Sequence, residues 1–120
     1  RLVEEGVVPY GDARASIEDF TGKFDLVTHC GVAIHVPPDD LLDFCKRIHA
    51  HAGRWIVAIE YFSQTPREIE YWGETGRLWS RDFGAFWLDN FPDLHPIACG
   101  FAWRKLTSLD DVTWVLLERR

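Results

Sequence analysis

Most apolar residues of this chain lie in short runs, and three of these runs have the composition of β-strands. Residues 7–10 form a brief run that ends at Gly11, and residues 24–30 (FDLVTHC) form a denser run between two glycines. Residues 55–62 (WIVAIEYF) are almost continuously β-branched or aromatic, which is typical of a strand covered on both faces. We therefore predict a short strand followed by two buried strands.

Two other stretches have apolar residues at helical spacing. The first is residues 39–52, which follows two prolines, carries two aspartates in its first turn and ends before a glycine. The second is residues 81–91, for which Ser80 is the predicted amino-terminal cap. The apolar positions of the two predicted helices are Leu41, Cys45, Ile48 and Ala52 in the first and Phe83, Phe86, Trp87 and Phe91 in the second.

The order of these elements predicts the class of fold. Two strands joined by a helix of this length form a right-handed crossover, so the first half of the chain predicts a parallel α/β sheet. Residues 96–104 and 112–118 are further strand-like runs, and the polar turn between them is too short for a crossover helix. They are predicted to pair as an antiparallel hairpin. Residues 63–80, rich in proline, glycine and charge, are predicted to be a long functional loop with some helix.

The composition restricts the class of protein. A chain of 120 residues that is 47% hydrophobic forms one compact core rather than two. Its net charge of −6 comes from 19 acidic and 13 basic residues, and without a basic stripe we expect no nucleic acid as a partner. No apolar run approaches the roughly 20 residues that cross a bilayer, so no membrane is expected. The widely spaced Cys30, Cys45 and Cys99 predict free thiols and a cytoplasmic protein.

The sequence of segments resembles the second half of a class I S-adenosylmethionine-dependent methyltransferase. The matching features are a strand ending in GDA, the strand FDLV, the loop HCGVAIHV, a helix, a strand ending in an acidic residue and a terminal antiparallel hairpin. Two segments, EYFSQTPREIEYWGETGRLWSRDF and DDVTWVLLE, are more narrowly similar to the methyltransferases associated with pseudaminic acid biosynthesis. The resemblance implies an α/β fold with a partial Rossmann-like methyltransferase sheet, and S-adenosylmethionine as the cofactor.

In that family a glycine-rich loop after the first strand and an acidic residue after the second strand hold the cofactor. Residues 1–120 contain neither element. Residues 2–5, followed by Gly6, look like the last turn of a helix, since glycine is a common helix stop. We therefore expect residues 1–120 to be the carboxyl-terminal portion of a methyltransferase domain that is inactive by itself.

The resemblance implies four residues that line the cofactor. Asp12 and Ala13, in the GDA segment, are expected to place a carboxylate near the adenine amino group and a backbone amide against the ring. Cys30 and Gly31 are expected to line the cofactor at the end of the central strand, where open α/β sheets bind ligands. The alternatives are a turn-forming Gly-Asp pair and a small buried thiol beside a tight turn.

His35, in the segment AIHV just past the central strand, matches a histidine that is frequent in the superfamily and is the candidate catalytic base. Histidine exchanges a proton near neutral pH, so it is able to deprotonate an acceptor hydroxyl or amine during methyl transfer. The alternative is a histidine that only bonds loop backbone ahead of the helix. His49 and His51 lack metal-ligand spacing, so they are predicted to be surface residues and no metal is expected.

Glu60 ends the strand WIVAIEYF among apolar neighbours, where it faces the same ligand edge as Asp12 and Gly31. We predict that its carboxylate either orients an acceptor hydroxyl or forms a structural ion pair with Arg77 or Arg81.

Five residues lie in the stretch that carries the narrower resemblance, namely Tyr61, Tyr71, Trp72, Arg77 and Asp82. Aromatic side chains and a few polar groups in a long loop beside the active edge suit a lid that binds a sugar-like substrate. The alternative is that these side chains only pack beneath the loop.

The predicted function is methyl transfer from S-adenosylmethionine to an oxygen or nitrogen atom of a small metabolite, with a sugar or sugar nucleotide of surface glycan biosynthesis as the implied acceptor. Two other classes stay open. A nucleotide-linked oxidoreductase requires a GxGxxG turn and an acidic residue about 20 positions later. A non-catalytic Rossmann-like binding module requires neither a base nor an acceptor site.

Overall fold

The computed structural model describes residues 20–120. In chain order these residues form strand β1 (Phe24–Cys30), helix α1 (Leu41–His51), strands β2 (Ala52–Glu60), β3 (Arg67–Tyr71) and β4 (Glu74–Ser80), helix α2 (Phe83–Asn90), strand β5 (Leu94–Ala102), the one-turn helix α3 (Arg104–Thr107) and strand β6 (Val112–Arg119). The predicted strand at residues 7–10 and helical turn at residues 2–5 lie outside the described residues.

Four strands form a mixed sheet in the order β1-β2-β6-β5. Strands β1 and β2 run parallel, with Cys30 opposite Ile59, as the strand-helix-strand pattern predicts. Strand β6 runs antiparallel to both β2 and β5, in agreement with the predicted terminal hairpin. Because Glu60 lies opposite Thr113, the ends of β1 and β2 and the start of β6 share one edge of the sheet. We call this edge the carboxyl edge.

The hydrophobic core lies between one face of this sheet and helices α1 and α2. Ile56 and Leu117 on the sheet are completely buried, and Leu41 and Trp87 on the two helices are each 1% exposed. Burying an aliphatic or aromatic side chain of this size contributes about 1.5–3 kcal/mol, so both helices are held by their apolar sides. Burial also raises the pKa of the Cys45 thiol to about 12, which makes this cysteine a packing residue rather than a nucleophile.

Residues 63–80 differ from the sequence prediction, because most of this segment is a β-hairpin. Strands β3 and β4 pair antiparallel with Ile69 opposite Leu78. Trp72 and Gly73 join them with φ angles of 53° and 75°, as in a type I′ turn. The loop prediction was wrong because the glycines and charges of this segment hid a strand pattern, in which glutamates alternate with apolar residues in REIEY.

Helix α2 begins at Phe83, and its cap is Asp82 rather than the predicted Ser80. The Asp82 carboxylate accepts a hydrogen bond from the Ala85 amide at 2.9 Å. The Ser80 side chain is buried and donates its hydroxyl to Ser63 Oγ at 2.9 Å instead. An aspartate suits this place because its charge also interacts favourably with the amino-terminal end of the helix dipole.

An ionic cluster ties together the side of the molecule away from the carboxyl edge. Asp93 accepts hydrogen bonds from His49 Nε2 and Arg119 Nε, each at 2.9 Å. Arg119 Nη1 also donates to the carbonyl groups of His49 and Ala52 at 2.9 Å. His49, which was predicted to be a surface residue, therefore has a structural role, and its side chain is only 18% exposed. The cluster joins the end of α1 to β6 and to the turn before β5.

Replacing Asp93 with asparagine is expected to lower the melting temperature at neutral pH, with an effect that disappears in acid. Partial burial alone raises the pKa of Asp93, but the bonds from His49 and Arg119 hold this pKa below its ordinary value of 3.8. A carboxyl with a lower pKa in the folded chain stabilises the fold above pH 3.8 and loses that contribution as the pH falls through the folded pKa. Thermal unfolding of the wild type and Asp93→Asn across this range measures the effect. The exposed Asp89→Asn is the control, and a difference that does not change with pH would contradict the ionic origin.

Candidate active site

The carboxyl edge brings together the residues that follow β1 and β2. The Gly31 amide donates to the Ile59 carbonyl at 3.0 Å, so the two chain segments leave the sheet side by side. Gly31 has a φ of 65°, and the space where a Cβ would project is open, while the Cys30 thiol is exposed. The predicted Cys30, Gly31 and Glu60 therefore meet at one edge. The other predicted cofactor residues, Asp12 and Ala13, lie outside the described residues.

The buried carboxylate of Glu60 holds the loop that follows β1. Glu60 is 2% exposed, and its Oε2 accepts from the amides of Val32 at 3.3 Å and Ala33 at 3.2 Å. Its Oε1 accepts from the amide of Ile34 at 3.3 Å. These amides open the 3₁₀ turn Ala33–His35, and the first amides of a helical turn have no partner within it. The carboxylate therefore caps a turn whose bonded amides are 26 to 28 residues away in sequence.

His29 and Trp87 complete the network behind Glu60. His29 Nδ1 lies 2.6 Å from Glu60 Oε2, and Trp87 Nε1 donates to His29 Nε2 at 3.0 Å. Because an indole N–H only donates, His29 Nε2 accepts, and the imidazole proton lies on Nδ1 and is donated to Glu60. The sequence reasoning missed His29. Its only signal was a histidine inside the apolar strand FDLVTHC.

The structure contradicts the predicted ion pair of Glu60 with Arg77 or Arg81. Arg77 Nε lies 3.2 Å from Glu74 Oε2, and the Arg81 guanidinium lies over the ring of Phe86 at 4.6 Å from its centre. Backbone amides and an imidazole N–H already satisfy the buried carboxylate, so it needs no cation. A direct contact between Glu60 and an acceptor stays a prediction.

His35 is the last residue of the turn that Glu60 caps. Its Nδ1 donates to the Arg77 carbonyl on β4 at 2.7 Å, and its ring meets Tyr71 edge to face, with the ring centres 5.2 Å apart. Because the proton lies on Nδ1, Nε2 carries the free lone pair and is the atom that can take up a proton. The bond goes to the hairpin, 42 residues along the chain. It therefore differs from the predicted alternative, in which His35 bonds only its own loop.

A cavity of about 400 Å³ lies beside His35 at the hairpin β3–β4. We call it the hairpin cavity, and its lining includes His35, Tyr71, Trp72, Glu74 and Arg77. The cavity volume is in the range of small-molecule sites. The predicted site residue His35 is therefore brought together with Tyr71 and Arg77, which lie more than 35 residues further along the chain.

The remaining predicted acceptor residues lie elsewhere. A cavity of about 720 Å³ between α2 and strands β5 and β6 is lined in part by Glu60 and Asp82. The Tyr61 hydroxyl donates to Asp110 at 2.5 Å, and this bond, with burial, raises the pKa of Tyr61 to about 12. Tyr61 therefore stays protonated at neutral pH and does not act as a base. The predicted lid is divided among three places.

The described residues were also compared with the predictions about metal ions, membrane spans and free thiols. Within residues 20–120 no group of three His, Cys, Asp or Glu side chains is arranged to hold a metal ion. None of the helices in this part of the chain has the length and apolar character to cross a membrane. Cys30, Cys45 and Cys99 are free thiols.

Comparisons with known proteins place the fold. No known sequence family matches the chain, and no curated protein matches it. Solved structures do match. One is the Burkholderia thailandensis 1,6-didemethyltoxoflavin-N1-methyltransferase with bound 1,6-didemethyltoxoflavin and S-adenosylhomocysteine, with a TM-score of 0.64 and 15% identity over 88% of this chain and 48% of that chain. A SAM-dependent methyltransferase of Leishmania major matches with a TM-score of 0.60 and 21% identity over 86% of this chain and 43% of that one.

A third match is DhpI in complex with SAH, with a TM-score of 0.56 and 12% identity over 98% of this chain and 58% of that chain. The chain spans about half the length of these three proteins. Its mixed α/β fold is therefore shared with about half of each of these proteins, two of which are methyltransferases.

Proposed function

We propose that this chain is the carboxyl-terminal portion of a methyltransferase domain that moves a methyl group from S-adenosylmethionine to an oxygen or nitrogen atom of a small metabolite. The fold shared with about half of the Burkholderia thailandensis and Leishmania major methyltransferases supports the class. The observation that carries the proposal is the placement of His35. Its ring is oriented by the Arg77 carbonyl, and it lines the hairpin cavity directly after the carboxyl edge.

The carboxyl edge suits one side of a cofactor site. Gly31 leaves its backbone open to close approach, and Cys30 is a small exposed neighbour. In this proposal Asp12 and Ala13 complete the adenine side. When bound there, the sulfonium of S-adenosylmethionine supplies an activated methyl group and leaves as a neutral thioether.

His35 is the proposed base for the acceptor. As the acceptor atom forms its bond to the methyl carbon and the sulfur–carbon bond breaks, the acceptor proton passes to His35 Nε2. The Arg77 carbonyl accepts the Nδ1–H at 2.7 Å and so stabilises the imidazolium that forms. General-base catalysis of this kind contributes about 10²–10⁴-fold, and alignment of the acceptor in the hairpin cavity removes much of the entropic barrier.

The proposed acceptor is a sugar or sugar nucleotide of surface glycan biosynthesis, as the resemblance to the pseudaminic acid-associated methyltransferases implies. Two aromatic rings, a carboxylate and a guanidinium around one small cavity support a polar ring-shaped ligand. Free exposed thiols at Cys30 and Cys99 agree with a cytoplasmic setting.

Titration of S-adenosylmethionine into the complete protein that contains this chain tests the function. We expect saturable heat, competition by S-adenosylhomocysteine, and transfer of a labelled methyl group to a small carbohydrate acceptor. The complete absence of heat at millimolar cofactor would leave a non-catalytic binding module. Heat with a nicotinamide dinucleotide in place of S-adenosylmethionine would instead indicate an oxidoreductase.

A further inference from the structure

Trp72, at the tip of the hairpin, adopts a conformation that folding alone does not favour. It is 87% exposed, the highest value among the large apolar side chains of residues 20–120, and its φ is 53°. This position of a type I′ turn normally holds asparagine, aspartate or glycine, and the left-handed conformation strains a bulky residue. Strain of this kind is typical of functional sites.

Trp72 continues a series of aromatic rings that ends at the candidate base. The rings of Trp72 and Tyr71 have centres 6.0 Å apart and planes at 81°, and Tyr71 in turn meets His35 edge to face at 5.2 Å. Neither contact is a parallel stack, so these contacts leave much of the Trp72 ring face for a ligand. A ring that lies on Trp72 is thereby placed within the cavity that His35 lines.

Glu74 and Arg77 give the same cavity a polar side without net charge. Arg77 Nε lies 3.2 Å from Glu74 Oε2, and the two side chains are 61% and 62% exposed. Such an exposed pair contributes little to stability. The carboxylate oxygen and the guanidinium N–H groups that are not used in the pair can form hydrogen bonds with hydroxyl groups of a ligand. Residues 67–80 carry three glutamates and two arginines, so the hairpin does not attract anions.

We propose that the hairpin cavity binds an uncharged, hydroxylated ring of the acceptor, a pyranose, with its apolar face on Trp72 and its hydroxyl groups bonded to Glu74 and Arg77. This inference rests on the proposed function and deepens it by naming the part of the acceptor that the hairpin cavity binds and the residues that bind it. A flat heteroaromatic ring would stack on Trp72 but has no hydroxyl groups for Glu74 and Arg77 to bond. A phosphate or carboxylate of the acceptor lies outside the hairpin cavity.

The variant Trp72→Asn separates a binding role from a structural one. Asparagine followed by glycine is the preferred pair for this turn, so the melting temperature of the complete protein is expected to rise by about 2–4 °C. Saturation-transfer NMR measures the binding of neutral methyl glycosides (gluco, galacto and manno). This binding is expected to weaken about tenfold as the stacking contact is lost.

Trp72→Phe is expected to retain most of the binding. Leu106→Asn, which changes an 81% exposed side chain outside the cavity, is the control and is expected to bind as the wild type does.

Three outcomes would overturn the inference: no glycoside binding, unchanged binding in Trp72→Asn, or tighter binding of glucose 6-phosphate or a purine than of the neutral glycosides. Titration of S-adenosylmethionine into the same samples keeps the two proposals distinguishable. If every variant binds the cofactor and none binds a glycoside, only the proposed class of acceptor is overturned. If Trp72→Asn loses glycoside binding and no sample binds the cofactor, the result supports the sugar site in the hairpin cavity and removes the methyltransferase assignment.

Discussion

Replacing His35 with alanine is expected to lower the turnover of the complete protein by about 10²-fold or more, while its affinity for S-adenosylmethionine stays nearly unchanged. The variant removes Nε2, the atom proposed to take the acceptor proton, and leaves Cys30 and Gly31 at the carboxyl edge in place. Initial rates with methyl-labelled cofactor give the turnover, and calorimetric titration gives the affinity.

His51→Ala is the matched control for His35. His51 Nδ1 also donates to a backbone carbonyl, that of Gly22 at 3.1 Å, but it lies at the carboxyl end of α1, away from the carboxyl edge. We expect its turnover to equal that of the wild type. Unchanged turnover in His35→Ala would remove the residue from the mechanism.

Replacing Glu60 with alanine is expected to lower the free energy of unfolding by about 3 kcal/mol or more. The change leaves three amides, those of Val32, Ala33 and Ile34, without their acceptor. It also leaves the buried Nδ1–H of His29 unpaired. Urea unfolding followed by fluorescence measures the loss, and faster amide exchange at residues 32–34 locates it.

Glu118→Gln is the control, because the Glu118 carboxylate belongs to no buried hydrogen-bond network. Glu118 bonds Arg54 and Arg120, whose side chains are mostly exposed, so its removal should change the unfolding curve little. If Glu60→Ala behaved like Glu118→Gln, the cap on the 3₁₀ turn would not stabilise the fold. Because that turn ends at His35, Glu60→Ala should also reduce turnover through misplacement of the base.

The sheet and its helices could be predicted because their signals are local. The apolar positions of α1 follow a helical period, and those of β1 and β2 form short dense runs. The hairpin β3–β4 was missed because glycines and charges hid its strand pattern and because its turn carries Trp72 in place of the usual asparagine. The cap of α2 was misplaced by two residues because serine and aspartate are both good caps, and the contacts of Ser80 with Ser63 decided between them.

The sequence by itself determined the parallel pair β1–β2 with its helix α1, the helix α2 and the antiparallel pair β5–β6, and it placed Gly31 and Glu60 at the ends of neighbouring parallel strands. Only the tertiary structure decided that Glu60 bonds His29 and the turn that ends at His35, that the Arg77 carbonyl orients His35 while its guanidinium pairs with Glu74 rather than Glu60, and that Tyr61 lies apart from the hairpin cavity. The reason is physical. Periodicity and propensity act within a few residues, whereas these hydrogen bonds join segments 26 to 49 residues apart, and the packing of the whole sheet sets their distances.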